Sequence, residues 1–400
     1  MTPAARPARV AGTGIAVWQM PALVIGIIGI VASAIGWFID KPQFYRAYLP
    51  AYIFWFQIVA GALAVLMLQY VSGGEWGVLL RRPLGAAART VIWMALFFVP
   101  IAAGVPYIYP WADANLVAHD AVLQAKAGYL NWQWFVIRAA IYFALWALWA
   151  WRIRYLSLRF YEDRSPYTEL SRQRWAASGL PMIVLTLTFA GIDWLMSTEP
   201  KWTSSMYGIT FIVGSGLAAY AFVTFFLTRL AGTPAMTNIL KPSHFRDLGN
   251  LMLAFVMLYA YTSFSEYLLS WYANLHEEIP HFIVRQSGVW IVFAFAVILF
   301  HFFLPFFMLL MRAIKDNPAT IAVVAVIVLV MRFVAIYWTV QPSFSGATFY
   351  FSWMTAAALA GIGGIWLFLF IGQLKGQTII PIHETWVEEA VREGALNVNA

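Results

Sequence analysis

Five side chains that can carry charge stand inside runs of apolar residues: Arg138, Asp193, Glu266, His301 and Arg332. Charge at such depth costs about 2.5–3.5 kcal/mol on an insertion scale, so each one calls for a partner or a purpose. Asp193 and Glu266 fall about one turn from the ends of two runs. If those runs are helices, both acids sit at C-termini, where the macrodipole is negative and a carboxylate is disfavoured. Two acids placed this way on one side of the molecule either pair with cations or are held neutral. A buried acid held neutral suits proton transfer.

The neighbours of Glu266 extend the pattern. Tyr259, Ser263, Glu266 and Ser270 recur at helical spacing and give one polar stripe. Such a stripe could carry a file of water, or could hydrogen-bond one helix to the next. His301 and Arg332 flank the short loop Ala313–Pro318 and lie about one turn apart in depth at 1.5 Å per residue. Whether they face each other is open, and an arginine stabilising a bundle through carbonyls is the alternative. Arg138 sits at the depth where Asp193 ends its run, so an ion pair is available.

The elements that must position these groups are membrane spans. Hydrophobic residues make up 62% of the 400 and charged residues 11%, with a mean hydropathy of +0.73. A soluble chain needs about a quarter of its residues charged. Runs of roughly 20 apolar residues, enough to cross the hydrocarbon, read as ten spans: 17–38, 47–70, 88–108, 132–153, 176–196, 207–229, 248–270, 288–311, 319–340 and 351–372. The first exceeds a signal-peptide core and no small-residue cleavage site follows it, so it is expected to remain. The domain reading is a tail over 1–16, a ten-span membrane domain over 17–372 and a tail over 373–400, with no separate soluble domain.

Most of the 25 Lys and Arg lie in loops on the N-terminal side, from Arg6 and Arg9 through Arg81, Arg82 and Arg312 to Lys375 and Arg392; Lys41, Arg46, Lys126, Lys201 and Arg285 lie opposite. The net charge of +7 therefore reads as a topological signal rather than a nucleic-acid surface, and both termini are expected in the cytoplasm. The segment Trp151–Trp175 mixes arginines with Glu162, Asp163 and Glu169, and reads as a cytoplasmic surface element, solvated or lying as a short interfacial helix.

Several chemistries are missing. With no cysteine, disulfides, Fe–S ligation, thiolate zinc and C-x-x-C-H haem attachment are excluded together. Of the six histidines only His301 is placed within a span, which argues against a b-type haem held between span histidines. No phosphate-binding loop or dinucleotide fingerprint occurs. His276-Glu277-Glu278 with His281 looks like a metal cluster but lacks ligand spacing.

Span five ends Asp193-Trp194-Leu195-Met196-Ser197 and span seven ends Glu266-Tyr267-Leu268-Leu269-Ser270, which suggests two related bundles. The stretches Asp193–Ser197, Glu199-Pro-Lys-Trp202 and Ser204-Ser-Met-Tyr-Gly208 form one signature. His244-Phe-Arg-Asp-Leu-Gly249, Phe264–Trp271 and Tyr272–Glu278 form a second. Together, over about residues 15–375, they resemble the ActF-type membrane subunit of bacterial alternative complex III, a quinol:electron-acceptor oxidoreductase of the respiratory chain.

The resemblance implies an all-α integral membrane fold of ten transmembrane helices, with two related four-helix bundles plus flanking helices, similar to NrfD and polysulfide-reductase subunits. It implies a cofactor-free subunit in the bacterial inner membrane, partnered by a sister NrfD-like membrane subunit and by Fe–S and haem c proteins. Such a complex oxidises quinol, usually menaquinol, and passes electrons to cytochrome c or another periplasmic carrier, often for a terminal oxidase. The main quinol site is expected on the sister subunit. Asp193 falls on the family's Asp-Trp-Met-Ser motif, whereas Glu266 stands where Gln is common in the family.

The expected role is scaffolding plus a proton path through Asp193, Glu266, Ser263, Tyr259 and His301, with Arg138 and Arg332 as charge partners. Lipids surround the spans; no residue of this chain is expected to bind a metal or cofactor, and no nucleic acid is expected. A proton- or ion-coupled secondary transporter, whose sites usually lie at midplane on broken helices, and a purely structural anchor are the alternatives.

Overall fold

The computed structural model describes residues 15–163, 165–231 and 240–375, without the side chains of Glu75 and Tyr161. Arg6, Arg9, Arg164, Arg392, His383 and nearly all of both tails lie outside the described residues. All regular elements among these residues are helical. The long ones are α1 (Gln19–Ile39), α2 (Lys41–Ser72), α3 (Arg81–Ala88), α4 (Val91–Ala103), α5 (Trp132–Asp163), α6 (Pro166–Trp194), α7 (Tyr207–Ala231) and α8 (Pro242–Ala273). They are followed by the short α9 (Ile279–Arg285), then α10 (Trp290–Leu310), α11 (Pro318–Val340) and α12 (Trp353–Leu374). Among the described residues nine helices are long and apolar enough to cross a membrane, or ten if a bent pair counts as one span.

Helix starts follow a local rule. Ser165, Asn317 and Ser352 each accept a hydrogen bond from the backbone two residues on, and Pro166 and Pro318 occupy the first turn where no N–H is needed. The apolar runs between these caps bury one side and leave the rest to lipid. The windows of α2 and α7 are 83% and 78% buried, that of α10 only 11%, so the first two form the centre and α10 the rim.

Around that centre, α2, α4, α5 and α6 form one packed group, and α7, α8, α10 and α11 another. The groups meet where α2 lies on α7. There a Cβ on Gly61 would run into the Ser215 carbonyl, so the close approach requires glycine. α1 packs along α12 over Gly26, Gly29, Gly361 and Gly364, and the pair leans on α2. The ends carrying Asp193 and Glu266 lie on the face where α1 finishes, termed face II; face I is where α1 begins.

Three expectations are corrected. The span expected over 88–108 is not one helix: α4 has 13 residues, about 20 Å at 1.5 Å per residue, and joins α3 through a 41° bend. The segment Trp151–Trp175 contains no separate interfacial helix, because α5 continues to Asp163 and α6 starts at Pro166. Arg172 there is buried, paired with Glu169 and set over the Tyr70 and Phe160 rings. Finally, α8 runs on to Ala273, so Glu266 lies about two turns from its end, deeper than one turn and farther from the helix dipole.

Candidate functional site

Asp193 is the penultimate residue of α6 and wholly buried. Arg138, six residues into α5, donates Nε to Oδ2 at 2.8 Å and Nη2 to Oδ1 at 3.0 Å, and Tyr142 donates its hydroxyl to Oδ2 at 3.0 Å. Arg138 is itself held by the Tyr129 carbonyl at 2.9 Å and the Tyr129 ring at 3.8 Å. The next residue, Trp194, sits among Phe56, Phe98, Phe143 and Trp146, while Tyr109 donates to its carbonyl. Both carboxylate oxygens are thus covered by donors, and aromatic rings close the surroundings. This geometry anchors: both oxygens are engaged, and the two bonds from Arg138 fix the acid in a bidentate pair.

The second group treats its polar residues differently. Arg332 on α11 is buried; its Nε donates to Gln57 Oε1 at 2.9 Å and its guanidinium lies 4.5 Å from the Tyr259 ring. It fits because position 214 on α7 is glycine: a Cβ there would stand 2.6 Å from Arg332 Nη2. Tyr259 in turn packs against the His301 ring, with centroids 4.8 Å apart. His301 belongs to a π-helical stretch, Val297–Phe303, inside α10. Pro305 explains the widening in part, since a proline clashes with the carbonyl four residues back and offers it no N–H. Such stretches recur at functional sites.

These groups gather in one place a feature that is scattered elsewhere, as at Trp194 Nε1 and Tyr220 Oη. His301 Nδ1 and Nε2, Arg332 Nη1, Gln57 Nε2, Ser263 Oγ and Glu266 Oε1 are buried and have no hydrogen-bond partner within the chain. An unsatisfied buried polar atom costs about 1–3 kcal/mol, and native interiors contain few. Ser263 and Glu266 follow Tyr259 at four and seven residues along α8, so the atoms form a broken line from mid-membrane toward face II. Glu266 lies in the field of Arg285 and near Ser204 and Thr210. Ser270, the last member of the stripe, bonds Glu278 at 3.4 Å rather than joining the line. The structure therefore brings Tyr259, Ser263, Glu266, His301 and Arg332 into one group, and sets Asp193 with Arg138 in the other.

At the face II end the line meets a knot that the count of intramembrane charges passes over. Glu199 accepts from His281 Nδ1 at 2.8 Å, from Arg285 at 2.7 Å and from Ser343 at 2.5 Å. Arg285, 1% exposed, also donates to the carbonyls of His281 and Thr339. His281 stacks flat on Trp202 at 3.6 Å. Burial alone would raise the Glu199 carboxyl, but the His281 hydrogen bond and the Arg285 charge hold it well below the usual carboxylate range. Burial, then the Arg285 charge, pushes His281 down to about 4, so it is neutral and donates from Nδ1 near neutral pH. A small cavity lies here, with Glu199, Trp202, Tyr207, His281 and Arg285 among its walls and room for roughly one water molecule.

Among the described residues no three His, Asp or Glu side chains converge as a metal would need, and His281 of the suspected loop cluster is committed to Glu199. No protein-family model matches the sequence, and no curated protein matches it. The residues themselves define the class: a multi-pass α-helical membrane protein with one bidentate buried ion pair and one series of unpartnered polar atoms.

Proposed function

We propose that this chain is an integral membrane subunit of a quinol-oxidising respiratory complex of the alternative complex III type, and that its second helix group contributes a proton-conducting route. The motifs around Asp193 and Glu266 support the family reading, and with it the NrfD-like arrangement of two related bundles. The observation that carries the proton role is the series of buried, unpartnered polar atoms from His301 through Ser263 to Glu266. In this reading face II is periplasmic, Glu266 exchanges protons with that side, and Tyr259, Ser263 and His301 extend the route inward. Arg332 supplies a fixed positive charge at its inner end, while Asp193 and Arg138 serve the scaffold.

Redox centres (haem c and Fe–S clusters) and the main quinol site belong to partner subunits in this proposal, and protonation is coupled to turnover there. A mild purification from bacterial membranes tests it. A haem-containing assembly that oxidises menaquinol is the expected result. A lone chain that accumulates a solute in proteoliposomes would instead establish the secondary-transporter reading, which the burial of Arg332 and His301 inside spanning helices, one of them widened to a π-helix, favours.

A further inference from the structure

The face II knot bonds one buried guanidinium to one carboxylate and sets it within electrostatic reach of a second. Arg285 is bonded to Glu199 and acts on Glu266 from the same position. Tyr207, at the start of α7, lines the cavity and lies in the fields of both Glu266 and Arg285. The other charged or titratable groups nearby are accounted for. His281 is bonded to Glu199, Glu278 to Ser270, and Lys201 to Asp120 at 2.7 Å on the surface. α11 and the turn after it contribute the neutral Thr339 carbonyl and Ser343 hydroxyl and, farther in, Arg332, which also acts on Tyr207 and is bonded to Gln57.

We propose that Glu199 is a positioning residue that keeps Arg285 committed to its own carboxylate, and so leaves Glu266 free to take up and release a proton beside the Tyr207 cavity. The proposal rests on the proton-route reading for its purpose, but not for its geometry. A buried cation with a single committed anion is neutral as a pair. Remove the Glu199 charge and the guanidinium needs a new counter-ion, for which Glu266 is the available carboxylate. Glu266 would then be fixed in its ionised form, and a fixed ion cannot relay protons. The arrangement separates two tasks within one cluster: Glu199 stays ionised and holds the loop, while Glu266 titrates.

Infrared difference titration of the intact protein in lipid nanodiscs reads this directly. The carboxylic acid band lost in Glu266→Gln assigns the signal. In Glu199→Gln the ionised-to-protonated ratio of Glu266 at a given pH should rise about tenfold, while Glu199→Asp should restore the native ratio. Should Glu199→Gln fail to assemble, Ser343→Ala removes one hydrogen bond to Glu199 and keeps the ion pair. It should move the ratio in the same direction, about twofold. An unchanged ratio in the variant that assembles overturns the proposal. Failure of the route reading looks different: Glu266→Gln would leave proton release intact while the infrared shift in Glu199→Gln persisted.

Discussion

Asp193 and Glu266 are both carboxylates near the face II ends of long helices, yet Asp193 has three side-chain donors on its two oxygens while Glu266 Oε1 has none. Arg138 reaches Asp193 from the neighbouring helix in bidentate form, and aromatic rings pack around the adjacent Trp194. The cation that acts on Glu266, Arg285, is bonded to a third acid. The same carboxylate chemistry thus gives a bidentate anchor at the end of α6 and an acid with one unpartnered oxygen about two turns inside α8. What separates them is the donor: a guanidinium in direct contact with Asp193, against the Ser204 and Thr210 hydroxyls beside Glu266.

Breaking the anchor should cost most. Asp193→Asn leaves the Arg138 guanidinium without its anion and should destabilise the protein by on the order of 3–5 kcal/mol, read as a lower unfolding temperature in detergent. Combining it with Arg138→Met should recover most of that loss. Glu266→Gln breaks no ion pair and should change stability by less than about 1 kcal/mol. Equal losses in the two single variants would erase the contrast.

Gly214→Ala comes next, at about 1–3 kcal/mol, because the added methyl meets Arg332 Nη2 and displaces it from Gln57. The same unfolding assay, with Gly216→Ala alongside, checks it. The pH dependence follows from His281, whose folded value of about 4 lies below its ordinary 6.5. The unfolded state binds the extra proton between those values, so the contribution is full above pH 6.5 and is lost as pH falls toward 4. The slope is at most about 1.4 kcal/mol per pH unit. Proteolysis of the 274–289 loop across that window should show it, and His281→Gln should flatten it. Ser197→Ala, which removes a 2.5 Å bond to the Asp193 carbonyl, should cost only about 0.5–1.5 kcal/mol.

Much of the architecture is legible in residue order, because apolar runs of span length have no other use. The places where that reading slips are those where composition and continuity part. Arg89-Thr90 interrupts the run that α4 belongs to, and Trp271-Tyr272-Ala273 extends α8 beyond its apolar stretch by ordinary helix propensity. Charge inside spans pointed to Arg138, Asp193, Glu266, His301 and Arg332, but their grouping required the fold. Gln57 leaves no mark on a charge count, because an amide is neutral. Glu199 finds His281 and Arg285 across 82 and 86 residues of chain, a separation over which no spacing rule operates. The Glu199-Pro-Lys-Trp202 motif and the isolated Arg285 in an outer loop were the available signals.

Proton release by the complex reconstituted in liposomes, with quinol supplied and a soluble acceptor present, tests the central claim most directly. Glu266→Gln should suppress release on the face II side while electron transfer with the membrane uncoupled stays near the native rate. Native release in that variant, or an equal loss in an Asp193→Asn, Arg138→Met protein that assembles normally, would contradict the account.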